Sequence, residues 1–355
     1  MLTRHDTRCL LRPEDLPPSS DAMRVIGAFN CGAAATGKGD EVVLLVRVCE
    51  QPVEQRAGYV GVPYWKDGGI VLRWEKEIDY DITDPRVITR KSDDRGLLRF
   101  ISYLRVVRLP DGRSVGSLGP TMMPETPYET FGLEDPRITP IDGRFFITYV
   151  GVSGNGVVTA LASTDDFETF ERRGVIFCPE NKDVMLFPYR VAGRFVALHR
   201  PTMSFQLTAP QMWLADSPDL LHWGNHRVLL GPGGPVAGEK IGGGCPPILT
   251  DRGYLVIYHA AVRHPGEPVA RYSAVALLLD AENPDRILAH SPGALFAPTE
   301  PFEREGFVPN VVFPTGVVPR GDRLLVYYGA ADDKCGVTEL SLRQLLDGMV
   351  DGPPR

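Results

Sequence analysis

The densest chemistry in this 355-residue chain lies at Phe131-Gly132-Leu133-Glu134-Asp135-Pro136-Arg137-Ile138. Two adjacent carboxyl groups stand beside a proline, which fixes the backbone, and an arginine. That combination suits a positioned proton donor. It suits an ordinary Asp-Pro turn as well, and Asp84-Pro85-Arg86 elsewhere in the chain shows how little the tripeptide means alone. Cations and aromatic hydroxyls also gather at the ends of apolar runs, at Arg47, Tyr149, His199-Arg200, Tyr258-His259 and Tyr328. A single tyrosine there is unremarkable, with its ring in the core and its tip in water. His199-Arg200 and His259 weigh more together, because cations at one mouth repel each other unless an anion neutralises them.

The elements that must position these residues repeat. A turn ending in Gly39-Asp40, Gly143, Gly193, Gly253 or Gly321 is followed each time by a short apolar run that ends in one of those polar groups. β-Branched and aromatic residues fill the runs, which have ordinary strand length. Residues 160–170, 213–223 and 276–287 then read as a strand, a Ser/Asp/Pro turn and the start of another strand, which is a hairpin pattern. Five copies at roughly 50–70-residue spacing, the first interval longer, predict an all-β chain folded as a five-bladed β-propeller. A β-sandwich of similar hairpins is the alternative, but the spacing fits one four-stranded blade better. The reading divides the chain into an N-terminal extension (1–23), the propeller (24–347) and a C-terminal tail (348–355). The long first interval holds an insertion at about 49–100, centred on Tyr64–Arg86, that could cover one mouth of the channel. Helical periodicity is confined to short stretches such as Leu340–Leu346.

Composition removes several classes of function. The chain is 43% hydrophobic, enough for a sizeable core, with 37 glycines and 32 prolines placed between apolar runs as turns are. A formal charge of −7 with no block of like charge argues against a nucleic-acid or anionic-membrane binder. No run approaches the ~20 apolar residues of a membrane helix, and the N-terminus has no continuous apolar core of a secretory signal. Cys9, Cys31, Cys49, Cys178, Cys245 and Cys335 are scattered, as reduced residues of a cytoplasmic protein would be. No metal-ligand spacing appears. Trp213 and Trp223 fall at strand positions and read as core, Trp65 as a loop anchor or a sugar platform. Gly242-Gly243-Gly244 lacks the strand-to-helix context of a nucleotide loop and reads as close backbone packing near Lys240.

Several ordered motifs resemble glycoside hydrolase family 130, the β-mannoside phosphorylases. They are Gly132 to Ile138, Asn181-Lys182-Asp183-Val184, Leu198 to Pro201, Lys240-Ile241-Gly242 with Gly244, Pro246 and Pro247, Ile257-Tyr258-His259, Val308 to Pro314, and Tyr327 to Asp332. The resemblance spans about residues 24–346, and members of that family are five-bladed propellers. It implies that Asp135 is the general acid, acting on the glycosidic oxygen through a sugar hydroxyl. It implies phosphate binding by Arg200, Lys240 and His259, with Lys182 and Tyr272 as neighbours, and mannose binding by Asn30, Arg47 and Asp332. The chain departs from the family in reading Asn30-Cys31-Gly32 where Asn-Pro is frequent, and in its long 49–100 segment. Such loops shape the side of the site that takes the acceptor sugar.

The implied reaction is inverting phosphorolysis of β-mannosides to α-mannose 1-phosphate, with inorganic phosphate as co-substrate and no cofactor. An inverting hydrolase needs a second carboxylate to activate water, whereas phosphate is already a nucleophile and needs cations to hold it. A hydrolase on the same fold would use Glu129, Glu125 or Asp333 as base. A non-catalytic carbohydrate-binding propeller would need neither the acid nor the cations. The expected partners are the β-mannoside and phosphate, with no nucleic acid or membrane, and a homo-oligomer is left open.

Overall fold

Each of the five apolar runs becomes the second strand of a four-stranded antiparallel blade. The protein, seen in a computed structural model, is described over residues 2–202, 207–231, 239–263, 266 and 269–354. From the inside outward, the first blade contains Met23–Ala35, Val42–Pro52, Ile101–Leu109 and Ser117–Met122. The second contains Gly132–Ile141, Arg144–Ser153, Gly156–Thr164 and Glu171–Phe177. The third contains Asn181–Leu186, Phe195–Pro201, Met212–Ser217 and Gly224–Leu230. The fourth is built on Lys240–Gly243, Gly253–Val262, Arg271–Leu279 and Ile287–His290. The fifth contains Val312–Arg320, Arg323–Ala330, Lys334–Ser341 and, outermost, His5–Leu11 from the start of the chain. The fold is a five-bladed β-propeller.

The second strands read as unbroken apolar runs because both of their faces are covered. Along residues 42–48, Val43 and Leu45 pack toward the second blade with Leu133 and Ile147, whereas Leu44 and Val46 pack toward the fifth with Leu325 and Val337. This is the two-residue alternation of a strand, with apolar neighbours on each side. Similar clusters lie between the second and third blades, the third and fourth, and the fourth and fifth. The core is therefore a ring of five inter-blade layers.

Two ends of the chain join blades. His5–Leu11 pairs with Lys334–Ser341, so part of the segment expected as an N-terminal extension is the outer strand of the fifth blade. Val350–Asp351, in the expected tail, pairs with Ile287–His290 of the fourth. Between the second and third strands of the first blade the chain makes two small sheets. They are the hairpin Tyr59–Lys66 with Gly69–Lys76, and the three short strands Tyr80–Asp81, Val87–Arg90 and Gly96–Leu98. Val60, Val62, Tyr80 and Ile88 give this segment a core of its own. Trp65 is held there through its backbone N–H, which donates to the Thr130 carbonyl. Trp223 packs against Phe177, with ring centroids 5.6 Å apart.

Candidate functional site

The inner strands of the first three blades each lose register near the centre of the ring, between Phe29 and Gly32, Glu134 and Arg137, and Lys182 and Met185. At these bulges Asn30, Asp135 and Asp183 take left-handed conformations, with φ of 48°, 48° and 57°. Asn and Asp tolerate that region better than other side chains, and a bulge re-aims the residue it carries. Three blades thus turn a short polar side chain toward one central place. Asp332, in the turn after Arg323–Ala330, has φ 57°.

These residues meet in a cavity of about 490 Å³. Asn30, Arg47, Asp135 and Asp332 line it, as do Lys182, Arg200, Lys240 and Tyr272. His259 does not line the cavity. It is fully buried behind the wall, its ring 4.4 Å from that of Phe313 and 5.8 Å from that of Tyr272. Neither ring nitrogen has a hydrogen bond, although Nε2 is 3.9 Å from Asp183 Oδ2. Burial lowers its pKa to about 3 against the pull of Asp183, so the ring is neutral.

Asp135 Oδ1 accepts from Asn30 Nδ2 at 2.8 Å and from Arg47 Nη1 at 2.9 Å. Arg47 Nη2 reaches Glu134 at 2.6 Å, so one guanidinium holds both carboxylates of the motif. Burial works to raise the Asp135 pKa, but Arg47, Arg137 and the Asn30 bond outweigh it and hold the group below the usual carboxylate range. Asp332 goes the other way, pushed up to about 6 by burial despite Arg47.

The cations come from the third and fourth blades. Lys182 and Arg200 are direct partners across two neighbouring strands. Lys240 begins the next inner strand, and burial followed by repulsion from Arg200 lowers its pKa to about 8. Asp183, which the sequence analysis did not assign a role, orders this side. Its Oδ2 accepts from Arg200 Nε at 2.7 Å and its Oδ1 from Arg137 Nη2 at 3.2 Å. Arg137 is itself buried, donating further to the backbone carbonyls of Asp135, Gly243 and Gly244 at 2.9, 3.0 and 3.2 Å. It therefore clasps the second, third and fourth blades beneath the cavity. A Cβ on Gly242 would lie 2.6 Å from His259 Cε1 and 2.9 Å from Arg200 Nε, and would also meet Asp183 Oδ2. The glycine run is close packing against the cation cluster.

The expectation for His199 changes, and Tyr149, Tyr328 and the alternative acids are placed outside the site. His199 is turned away from the cavity by the alternation that turns Arg200 toward it. Its ring stacks on Phe177 at 4.6 Å, its nitrogens meet Asn181 and His226, and burial lowers its pKa to about 3. Tyr149 donates to buried Glu129 at 2.6 Å, and Tyr328 to buried Glu303 at 2.7 Å, so both hydroxyls serve structure. The acids considered as a hydrolytic base are occupied elsewhere. Glu129 accepts from Tyr149, Arg172 and two backbone N–H groups, Glu125 pairs with Arg172, and Asp333 pairs with Lys334. None of these three lines the cavity.

A carboxyl pair held by one guanidinium, a cation cluster beside it and a sugar-sized cavity where the blades meet define a glycoside-processing propeller that handles an anion. The profile of the family described as β-1,4-mannooligosaccharide phosphorylase matches residues 114–351. The chain belongs to glycoside hydrolase family 130, the β-mannoside phosphorylases. It is 37% identical over 352 residues to the β-1,2-mannobiose phosphorylase of Listeria innocua, covering 97% of both chains. It is 36% identical over 252 residues to the 1,2-β-oligomannan phosphorylase of a Thermoanaerobacter species, covering 70% of this chain and 81% of that protein. The solved structure of the Listeria enzyme with β-1,2-mannobiose superposes with a TM-score of 0.89 over 97% of this chain and 98% of that one, at 36% identity.

Proposed function

We propose that the protein catalyses inverting phosphorolysis of β-mannosides, with β-1,2-linked mannobiose or short oligomers as substrate and α-mannose 1-phosphate as product. The observation that carries this reading is the pairing of Asp135 with the cations Lys182, Arg200 and Lys240 in one cavity, while Glu125, Glu129 and Asp333 stand outside it. A phosphate dianion held by those cations, with Tyr272 beside it, attacks the anomeric carbon as the bond to the leaving oxygen breaks. Asp135 supplies the proton to that oxygen through a sugar hydroxyl, and the proton of hydrogen phosphate restores the acid. Asn30, Arg47 and Asp332 hold the mannose. His259 acts from behind the wall, keeping Arg200 and Asp183 in place, rather than as a direct ligand. The β-1,2 linkage rests on likeness to the Listeria protein along nearly the whole of both chains. The six unpaired cysteines support a reducing, cytoplasmic setting.

The test is incubation with β-1,2-mannobiose, with and without phosphate, followed by proton NMR. Phosphate-dependent release of α-mannose 1-phosphate is expected. Equally fast cleavage without phosphate, giving free mannose, would replace the reading with a hydrolase.

A further inference from the structure

The insertion in the first blade contributes Arg86, Val87 and Leu98 to the cavity wall, and Arg86 is the cation among them. It belongs to the second Asp-Pro-Arg of the chain. Asp84 and Arg86 form a fork: Arg86 Nε donates to Oδ1 at 3.1 Å and Nη2 to Oδ2 at 3.0 Å. The Arg86 backbone N–H donates to the same Oδ1 at 2.8 Å. Its carbonyl accepts from Arg99 N–H at 3.0 Å, which ties the turn to the chain entering the third strand of the blade. Nη1 has no partner among the described residues. The Arg86 and Asp84 side chains are 46% and 40% exposed, so the fork faces open solvent at the mouth.

The surroundings of Arg86 differ from those of the phosphate cations. The bond to Asp84 raises its pKa against burial, and the charges of Asp332 and Tyr272 act on it next. It reaches the cavity from the first blade, which also supplies Asn30 and Arg47, whereas Lys182, Arg200 and Lys240 come from the third and fourth. A guanidinium already neutralised by a bidentate carboxylate offers little net charge to a dianion, but it keeps a directed N–H for a hydroxyl. Val87, Leu98 and Phe100 beside it supply the apolar surface that the C–H face of a pyranose packs on.

We propose that Arg86, oriented by Asp84, is a substrate-holding residue that bonds hydroxyls of the mannoside at the mouth of the cavity, so that the insertion sets affinity for the sugar and not for phosphate. This rests on the mannoside reading of the site. Because an arginine fork cannot be rebuilt by lysine, Arg86→Lys should behave nearly as Arg86→Gln. Asp84 is a positioning residue that acts through Arg86.

Two measurements test this. In steady-state phosphorolysis, Arg86→Gln and Arg86→Lys should raise KM for β-1,2-mannobiose about 10-fold or more, the loss of one hydrogen bond from a charged donor, with KM for phosphate changed less than about 2-fold. Asp84→Asn should give a smaller rise, and Asp84→Asn with Arg86→Gln should be no worse than Arg86→Gln alone. Calorimetric binding of β-1,2-mannobiose without phosphate should show the same ranking with no turnover required. An unchanged mannobiose affinity in folded Arg86→Gln, additive effects of the two substitutions, or a rise confined to the phosphate KM would each overturn the proposal. Wild-type protein that binds mannobiose but does not cleave it with phosphate would defeat the reaction and still leave the binding comparison to decide on Arg86.

Discussion

As the proposed acid, Asp135 must give up a proton, yet its surroundings hold its pKa below the usual carboxylate range. Arg47, Arg137 and Asn30 together outweigh a burial cost that favours the neutral acid. The arrangement makes sense once phosphate is added, because two negative charges among Lys182, Arg200 and Lys240 oppose that bias and raise the proton affinity of Asp135 when the substrate is in place. Asp135→Asn should lower kcat by about 10²–10⁴-fold with the fold kept, as circular dichroism and turnover assays would register. Near-normal turnover would remove Asp135 from the acid role. Lys240 carries a second pH signature. With its pKa lowered to about 8, its charge is present below that value and lost above it. The phosphate KM should rise as pH passes 8, and Lys240→Arg should carry the rise to higher pH; a flat profile from pH 7 to 9.5 would count against Lys240 as a phosphate ligand. That Asp135, Arg200 and Lys240 meet in one cavity was legible because each lies in a local motif. Asp183 was not, since its role comes from partners on other strands and blades: Arg200, Arg137 and the glycines at 242–243.

At the scale of the element, the second strands announced themselves and the inner strands did not. Runs such as 42–48 are buried on both faces, so their sequence is continuously apolar. The inner strands line a polar channel and are broken by bulges at Asn30, Asp135 and Asp183, which erases the alternation that would mark them. The same blindness misplaced His199. The sequence put it at a strand end beside Arg200, but only the pleat decides which of two neighbours faces the channel. The inner strand of the fourth blade gives a clean test, because glycine is there for space and not for a left-handed backbone. Gly242→Ala would drive a methyl group into His259 and Arg200, whose atoms lie 2.6 and 2.9 Å from the Cβ position. A rise of at least about 10-fold in phosphate KM is expected, with mannobiose binding much less affected, as loss of one charge-assisted contact would give. Unaltered phosphate kinetics would mean that the cluster tolerates displacement and that Arg200 is not held for this purpose.

A ring of blades is only as stable as its closure, and this chain closes by laying His5–Leu11 against the last blade. The segment is short and polar on its outer face, which is why it read as an extension. Its anchor is Arg4. One guanidinium donates to Glu303 Oε2 at 3.1 Å, to Glu303 Oε1 at 2.5 Å and to Tyr328 Oη at 2.7 Å, and Tyr328 donates in turn to Glu303 at 2.7 Å. Glu303 is fully buried. Burial works to raise its pKa, but the bond and charge of Arg4 hold it below the ordinary glutamate range. The stability this gives is present above that ordinary range and is lost as pH falls through the depressed value. Arg4→Met removes the partner and leaves the charge, which typically costs about 3–5 kcal/mol for a buried pair. In the variant only the Tyr328 hydroxyl and the backbone N–H groups of Thr299 and Glu300 are left to oppose burial, so Glu303 should take up a proton at a higher pH than in the wild type. The deficit in stability should therefore be largest near pH 7 and narrow toward pH 5, where the variant carries a neutral acid bonded to Tyr328. Denaturant unfolding of both proteins at the two pH values measures this directly. An equal deficit at both would show that Arg4 stabilises the closure by packing alone, and that the buried carboxylate is not what ties the first strand to the fifth blade.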